Sequence, residues 1–411
     1  MSNTLITPTE LTRETLRLLH QKIRFISSIN RQYDDRFARS GAKIGTQLQV
    51  RLPNEFTVRE GAVMDAQPVA EHYVSLDVNK QRGVDFAFSS ADLTMKLDSF
   101  SERYLEPAAT RLAAYMEADA LSMYKDVYEE VCDDGDVMDV ADVLEGAKIL
   151  TDNLCPTDGR MLLLNTRDNV SLVNKNLGLF NPQGNISGAF KSGQVQNQFM
   201  GYSKIMESSL MPTHITGTET GNTYRTDINA GEPNGSGANP EAGGSLHIDT
   251  GATTFKRGDI IEIQDVFDVH PESKVNTGRL KRFVVTADFA GGEGDLQIYP
   301  AIVATGPKQN VTAAAVDGKI IYKRESDGAT ALAAGSSYGI SLGYHKDAFT
   351  FVTADLELPK GVDMAAREMA DGISLRFIRD YQVGNDVFGC RFDVYYGYKA
   401  IRPQLAVRYG H

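Results

Sequence analysis

One long stretch of apolar residues at helical spacing constrains the fold of this chain more than any other feature. The spacing keeps a single apolar stripe on one face of a helix. Ser99 and Glu102 form a capping-box pattern at its start, Pro107 should kink or restart its first turns, and Asp133-Asp134-Gly135 closes it. A helix over residues 99–132 would extend roughly 50 Å, which suits a spine for an extended subunit, although an ordinary core helix has the same periodicity. The apolar residues, at steps of three and four, are Leu105, Ala108, Leu112, Met116, Ala120, Met123, Val127 and Val131.

Alternating apolar residues between positions 41 and 92 predict three strands. The first two strands enclose a polar stretch, residues 53–71, and together they predict a long β-hairpin with a charged tip. Because a projecting two-stranded ribbon is marginally stable alone, this hairpin indicates a neighbour on which it lies. The alternating residues are Ile44, Leu48, Val50 and Leu52, then Val74, Leu76 and Val78, then Val84, Phe86 and Phe88.

The N-terminal residues 1–38 predict a helical arm whose charge opposes that of the whole chain. The 411-residue chain has a formal net charge of −12, so its surface as a whole does not attract nucleic acid. The arm carries a basic excess that includes Arg13, Arg17 and Arg24. These arginines either contact an acidic partner or lie on a solvated helix face, and the pattern leaves both interpretations open.

The composition changes twice after the predicted spine helix. A helix is predicted over 137–154 and a short buried strand over 161–164, and a crowd of glycines then fills 217–251. Short strands separated by turns follow, and they predict a small β-barrel or sandwich inserted at an exposed loop of a mixed α/β unit. These strands are predicted at 260–263, 283–286, 296–299, 320–322 and 338–342, with two closing strands at 373–378 and 391–396.

Three short motifs match functional patterns, but the residues around them do not fit those functions. Ser337 occupies the reactive place of a nucleophile-elbow pattern, with Asp347 and His411 downstream, but a strand follows where the elbow needs a helix. The glycines of 188–193 have phosphate-loop spacing, but Gln194 replaces the required lysine. The adhesion tripeptide Arg257-Gly258-Asp259 is more typical of a turn that opens a strand.

The remaining titratable residues predict no metal or cofactor site. The seven histidines lack ligand spacing, and the acidic run over 133–142 lacks the order of a calcium loop. The three cysteines are scattered, which favours a reducing compartment. We see no secretion signal and no apolar run of membrane-spanning length, so we expect a soluble protein made inside a cell, without a membrane partner.

Three stretches carry a resemblance to a known family. They are Tyr104-Leu105-Glu106-Pro107-Ala108-Ala109, Phe255-Lys256-Arg257-Gly258-Asp259 and Tyr395-Tyr396-Gly397-Tyr398-Lys399-Ala400-Ile401-Arg402-Pro403. With the order of parts, they make the chain resemble a tailed-bacteriophage major capsid (coat) protein of the α+β Hong Kong 97-like fold. Within that fold it resembles the branch of the Salmonella short-tailed phage coat protein, which carries an inserted β-barrel. The domains that the resemblance implies are an N-terminal arm (1–38), an extended loop (39–92), a peripheral domain with the spine helix (93–132 and 391–411), an axial domain (133–216 and 347–390) and an inserted β-barrel (217–346).

The resemblance implies a structural protein of the virion and not an enzyme. It would assemble with itself, as hexamers and pentamers, into an icosahedral head shell around double-stranded DNA. The obligate interfaces are expected to exceed about 2,000 Å² each. A scaffolding protein and a portal are implied partners, a decoration protein is left open, and assembly would take place in the host bacterial cytoplasm. On this hypothesis Arg13, Arg17 and Arg24 act as an assembly or scaffold contact.

Three alternatives come from other functional classes. A bacterial encapsulin-like nanocompartment shell would share the fold but hold a cargo enzyme and no genome. An esterase acting through Ser337 would be a monomer or small oligomer. A receptor-binding β protein would use the inserted strands. Closed shells seen by electron microscopy would separate the shell proteins from the other two.

Overall fold

The computed structural model describes most of the chain and divides it into two compact units. The first unit comprises Met1–Val50, Tyr73–Leu121 and Phe349–Lys399, and the second comprises Arg51–His72, Ser122–Ala348 and Ala400–His411. No helix among the described residues is long and apolar enough to span a membrane. The described residues are 8–31, 47–54, 56, 61, 62, 64, 72–89, 105–132, 138–179, 200–220, 223–229, 231–324, 334–370 and 372–411.

The described residues form helices and strands in a mixed α/β arrangement. The α-helices are α1 (Pro8–Lys22), α2 (Phe25–Ser28), α3 (Glu106–Leu121), α4 (Val140–Asp152) and α5 (Thr166–Leu179). The strands are β1 (Gln47–Arg51), β2 (Tyr73–Asp77), β3 (Lys80–Ser89), β4 (Glu130–Cys132), β5 (Arg160–Leu164), β6 (Lys204–Glu207), β7 (Thr213–Ile215), β8 (Gly244–Ile248), β9 (Ile260–Val269), β10 (Asn276–Val285), β11 (Gly294–Tyr299), β12 (Ile321–Arg324), β13 (Ser337–His345), β14 (Phe349–Ala354), β15 (Met364–Ala370), β16 (Ile373–Gln382), β17 (Val387–Ala400) and β18 (Ala406–Gly410).

The first unit is a five-stranded sheet with helices packed on it. Its strands run in the order β14–β17–β16–β15, with β3 paired antiparallel to β17. The helix α1 packs against α3 and β15, and its apolar residues Leu16 and Leu19 are buried. Phe25 of α2 meets Phe349 edge to face at 5.6 Å between ring centroids. The apolar stripe of the arm therefore belongs to the core of this unit, which confirms the helical prediction for the described part of 1–38.

The alternating residues between 41 and 92 form the predicted strands. The strands β1 and β2 make a two-stranded sheet, and the backbone N–H of Leu52 continues the pairing to the carbonyl of His72. Within the stretch predicted as the charged tip, only residues 53, 54, 56, 61, 62 and 64 are described. Phe56 and Met64 are exposed there, at 62% and 81%.

The spine helix is shorter than the periodicity predicts. The helix α3 ends at Leu121, a 3₁₀ turn follows over Ser122–Asp126, and Glu130–Cys132 is a strand that pairs in parallel with β18. The described α-helix is therefore about 24 Å long rather than roughly 50 Å. Val127 and Val131 continue the spacing of three and four, but they are buried beyond the end of the helix, and Val131 lies in β4. Both are β-branched, and such residues favour strands. The start predicted at Ser99 lies outside the described residues.

A six-stranded mixed sheet forms one part of the second unit. The order is β4–β18–β13–β5–β6, with β7 also paired to β13. The helix α4 confirms the prediction over 137–154, and Asp139 begins it in a capping box with Asp142. Two acids of the run over 133–142 therefore cap the start of a helix. The strand predicted over 161–164 is confirmed as β5, and Asn165 accepts the N–H of Asp168 at the start of α5.

A five-stranded antiparallel sheet forms the other part of the second unit. Its order is β12–β9–β10–β11–β8, and it encloses its own apolar core, which includes Tyr224, Phe255, Phe283 and Ile298. The segment 223–229 lies beside both outer strands. Arg225 bridges to Ile320 next to β12, and Thr226 bridges to Ile248 of β8.

Two sequence predictions about boundaries are corrected by the strand pairing. We expected the strand predicted at 338–342 to close the insert, but it is part of β13, which pairs with β5, β7 and β18 of the six-stranded sheet. The boundary predicted between residues 390 and 391 falls inside β17, which is continuous from Val387 to Ala400. Both strands appear in the sequence as short alternating runs, and such a run does not determine which strands it pairs with. The five-part domain division itself stays a prediction.

Candidate functional site

The three arginines predicted as an assembly contact lie on one exposed segment, but they do not share one acidic partner. Arg13 forms an ion pair with Glu368 at 3.3 Å. Arg17 pairs with Glu14 one helical turn away. The backbone N–H of Arg24 donates to the carboxylate of Glu117. The surface ion pairs of Arg13 and Arg17 contribute about 0–1 kcal/mol each, so these two side chains can exchange partners at little cost to the subunit.

Glu117 of α3 caps the start of α2, a contact that the sequence did not reveal. Its side chain is buried, and its carboxylate accepts the backbone N–H groups of Arg24 at 2.9 Å and of Phe25. Arg24, the residue before α2, supplies no side-chain cap of its own. Burial raises the pKa of Glu117, although these two N–H bonds oppose the shift. The Glu117 carboxyl therefore joins the arm to α3, at a site where burial disfavours the ionised carboxylate.

Replacing Glu117 with leucine should destabilise the arm, whereas glutamine should be tolerated. Leucine removes the acceptor of the buried N–H of Phe25 and of the part-buried N–H of Arg24, which costs about 1–3 kcal/mol. Glutamine keeps one carbonyl oxygen and matches the neutral form that burial favours. Because the folded-state pKa is raised, the contribution of Glu117 is full at low pH and is lost as the pH rises through that pKa. Urea unfolding, with limited trypsin digestion of the arm, measures both effects. Equal stability of the two variants would contradict the capping role.

The aspartate of the adhesion tripeptide is buried, whereas its arginine is exposed. Asp259 is 1% exposed, and its carboxylate accepts the N–H groups of Gly217 at 3.0 Å and Lys256 at 2.8 Å. It also lies 2.9 Å from Nε2 of His214, whose Nδ1 is 3.0 Å from the hydroxyl of Tyr124. Burial lowers the pKa of His214. A receptor cannot reach this carboxylate, so the tripeptide does not support receptor binding.

A buried charge cluster surrounds Glu129, just before β4. Its carboxylate lies 3.3 Å from Arg279 and 3.2 Å from Arg282, both from β10. Asp268 of β9 binds Arg279 at 3.1 Å and Lys281 at 2.8 Å. Burial alone would raise the pKa of Glu129, but the three nearby cations outweigh it and lower the pKa to about 2. The cluster therefore joins the chain before β4 to the β9–β10 hairpin through ion pairs.

The adjacent residue, Glu130, forms a second buried ion pair. Its carboxylate lies 3.0 Å from Nε of Arg408 in β18, and both side chains are 0% exposed. The hydroxyl of Tyr338 in β13 donates to the same carboxylate at 3.1 Å. The backbone carbonyl of Glu130 accepts from Arg282 at 2.7 Å. Glu129 and Glu130 therefore connect β4 to both sheets of the second unit.

Ser337 does not sit in the geometry of a nucleophile elbow. It is the first residue of β13 and pairs in register with Ile215 of β7. An elbow places its serine on a sharp turn between a strand and a helix, and here the strand continues to His345. The geometry thus gives no support to the esterase alternative.

His247 has several carboxylate neighbours, contrary to the sequence interpretation that the histidines are isolated. His247 lies among Asp227, Glu232, Glu293 and Asp295. Their separation in sequence, between 15 and 48 residues on either side, leaves no short spacing that could have been recognised. The pairing of β8 with β11 brings Glu293 and Asp295 to His247, and the bridges of Thr226 and Asn234 to β8 bring Asp227 and Glu232 to its other side.

The chain was compared with protein families, curated sequences and solved structures. The family model described as "P22 coat protein - gene protein 5" matches residues 32–408. No curated protein sequence matches. Among solved structures, Mycobacterium phage Che8 is 12% identical, with 94% of this chain and 90% of that chain covered and a TM-score of 0.46. The bacteriophage PhiM1 mature capsid is 10% identical, with 90% and 82% covered and a TM-score of 0.44. The capsid of Cyanophage P-SCSP1u is 10% identical, with 89% and 83% covered and a TM-score of 0.43.

The family match defines the class of this protein. It is a structural shell protein, the major capsid protein of a tailed bacteriophage, and it assembles with itself into the shell of the virion. The match covers nearly all of the chain, so the chain belongs to the P22 coat protein family. The resemblance inferred from the sequence is therefore confirmed at the level of family and function.

Proposed function

We propose that this chain forms the hexamers and pentamers of an icosahedral head with the Hong Kong 97-like fold, enclosing double-stranded DNA. The match of residues 32–408 to the coat protein family is the observation that carries this proposal. The ribbon formed by β1 and β2 supports it, because a two-stranded sheet with exposed apolar residues nearby gains stability from a neighbouring subunit. A scaffolding protein and a portal guide assembly in the host bacterial cytoplasm, and a decoration protein is an optional outer partner.

Electron microscopy of particles from infected and uninfected cells tests this proposal. Expression with the scaffolding protein of the same phage should yield closed shells tens of nanometres wide, and particles from infected cells should contain nuclease-protected DNA. A nanocompartment shell would instead close without scaffold and carry a protein cargo. Monomers under every condition, with scaffold present, would contradict the proposal.

We propose further that the five-stranded sheet is the core of an inserted β-barrel. Its own apolar core supports this, together with the bridges from Arg225 and Thr226 to the neighbourhood of the two outer strands. In that arrangement the segment 223–229 fills the gap between β12 and β8, so neither outer strand presents a long free edge. Protection of the amides of these strands from hydrogen exchange, as one cooperative group, is the expected signature.

Reversing the charge of Arg13, Arg17 and Arg24 should lower the yield of closed shells roughly tenfold, because like charges across an interface cost several kcal/mol. Subunit folding should survive, since the intrachain pairs of Arg13 and Arg17 are exposed. Sedimentation of assembly reactions with scaffolding protein, across a salt series, measures the yield. Salt should reduce wild-type assembly and leave the variant unchanged.

A matched control reverses three other exposed cations, Lys148, Arg167 and Arg225, and so changes the net charge equally. This control should assemble like the wild type. An equal loss in the control would show that net charge, and not the arm, is responsible.

A further inference from the structure

His247 lies where three neighbouring chain segments bring carboxylates together. It belongs to β8, the last strand of the five-stranded sheet, and Asp295 of β11 is its direct cross-strand partner. Glu293 immediately precedes β11, and Asp227 lies on the segment that bridges to β8 on the other side. Asp227, His247 and Glu293 each offer one ligand atom, and these three atoms lie within 4.8 Å of one another.

The contact with Asp295 fixes which nitrogen of His247 is available to a ligand. Nδ1 lies 2.6 Å from a carboxylate oxygen of Asp295. A carboxylate only accepts hydrogen bonds, so Nδ1 carries the proton, and Nε2 of the neutral ring keeps its lone pair. Nε2 faces Glu293, at 3.8 Å from Oε1. A carboxylate that orients the imidazole through its second nitrogen is the usual support of a metal-binding histidine.

Within the described part of the chain, His247 is the basic neighbour of these carboxylates. Among the described residues, no lysine or arginine forms an ion pair with Asp227, Glu232, Glu293 or Asp295, whereas β9 and β10 of the same sheet are joined by several ion pairs. Four like charges around one imidazole repel each other, and a divalent cation would relieve that repulsion.

We propose that Asp227, His247 and Glu293 bind a zinc ion, with Asp295 as the positioning residue of the imidazole. One imidazole nitrogen with carboxylate oxygens suits zinc, whereas magnesium and calcium prefer oxygen ligands alone. Ligand atoms held at about 2.0–2.2 Å from one zinc lie about 3.4 Å apart, so the contacts need only a small movement. The side chain of Glu293 is 61% exposed and can rotate that far. Water would complete the coordination.

Such an ion would fasten the last strand of the sheet. Asp227 already pairs with β8 through its backbone N–H, which donates to the carbonyl of His247. Thr250 donates to Glu293 at 3.4 Å, beside the start of β11. Zinc would therefore connect the bridging segment, β8 and the start of β11 at one point. Because zinc would bind the folded state alone, the unfolding temperature should rise with the logarithm of the zinc concentration once the site is saturated.

Calorimetric titration of the untagged full-length chain with zinc chloride tests this site. We expect one saturable site per chain that excess magnesium or calcium does not occupy. Asp295→Asn should weaken zinc binding about 10- to 100-fold, as for other groups that orient a metal-binding histidine. His247→Asn and Glu293→Gln should abolish the site and remove the zinc-dependent rise in unfolding temperature.

His270→Asn is the matched control. The Nδ1 atom of His270 accepts backbone N–H groups of Glu272 and Ser273, and asparagine can accept them in its place. This variant should bind zinc like the wild type. Because Glu293 is exposed, Glu293→Gln keeps the test valid even if the His247 variant unfolds. Absence of saturable zinc binding, unchanged affinity in Glu293→Gln, or an equal loss in His270→Asn would each overturn the proposal.

Discussion

Replacing Glu129 with glutamine should lower the free energy of unfolding of the subunit by about 3–5 kcal/mol, as expected when one partner of a buried ion pair is removed. Glu129 is fully buried, and Arg282, its closest partner at 3.2 Å, is 6% exposed in its side chain. The variant would leave the buried Arg282 and the partly exposed Arg279 with less neighbouring negative charge. Urea unfolding at neutral pH measures the loss.

The contribution of Glu129 should also depend on pH in a defined direction. Its pKa is lowered to about 2 in the folded chain, because Arg279, Arg282 and Lys281 outweigh the effect of burial. The pKa of a free glutamate is about 4.3, so the stabilisation is full above that pH and is lost as the pH falls through about 2. The difference in stability between wild type and Glu129→Gln should therefore shrink between about pH 4.3 and pH 2.

An exposed pair of the same kind provides the control. Glu145 and Lys148 pair at 3.0 Å on α4, with side chains 50% and 63% exposed. Glu145→Gln should change stability by less than about 0.5 kcal/mol, with little dependence on pH. The double variant Glu129→Leu with Arg282→Leu should lose less stability than the sum of its single variants, because Glu129 and Arg282 no longer leave each other without a partner. A small effect of Glu129→Gln, or strict additivity, would contradict the cluster as a source of stability.

Local periodicity predicted many of the helices and strands, but it did not predict which strands pair with each other. Alternation identified strands such as β2 and β16, because a half-buried strand repeats every two residues. It did not assign β13 to its sheet, because the partners of a strand depend on residues far away in sequence. The end of α3 was missed for a related reason, since Val127 and Val131 continue the helical spacing while they pack elsewhere.

The charged contacts were beyond the reach of the sequence because their partners are distant. Glu117 and Arg24 are separated by 93 residues, and Glu129 and Arg282 by 153. In sequence, Glu129 and Glu130 are an ordinary acidic pair at the end of an apolar helix. Only the fold shows that one faces the β9–β10 hairpin and the other faces β18. The coat-protein resemblance, by contrast, came from contiguous residues, which a single sequence displays directly.

Replacing Gly146 with alanine should destabilise the subunit, although the same change in an exposed helix stabilises by about 1 kcal/mol. Gly146 lies in the middle of α4, on the face that packs against β18. A Cβ atom there would overlap the hydroxyl of Tyr409 and lie 2.5 Å from its Cζ and 2.8 Å from its Cε1. The ring cannot move aside easily, because Tyr409 is 0% exposed and its hydroxyl is 2.6 Å from that of Tyr202.

The expected loss for Gly146→Ala is about 1–3 kcal/mol, the usual cost of overfilling a packed core. Urea unfolding of the wild type and the variant measures it, and Glu145→Ala on the exposed face of the same helix should stay within about 0.5 kcal/mol. Removing the hydroxyl of Tyr409 should partly relieve the overlap. The double variant Gly146→Ala with Tyr409→Phe should therefore lose less stability than the sum of its single variants. Stabilisation by Gly146→Ala, or additive losses, would mean that α4 shifts away from β18 without cost and that this glycine does not set their separation.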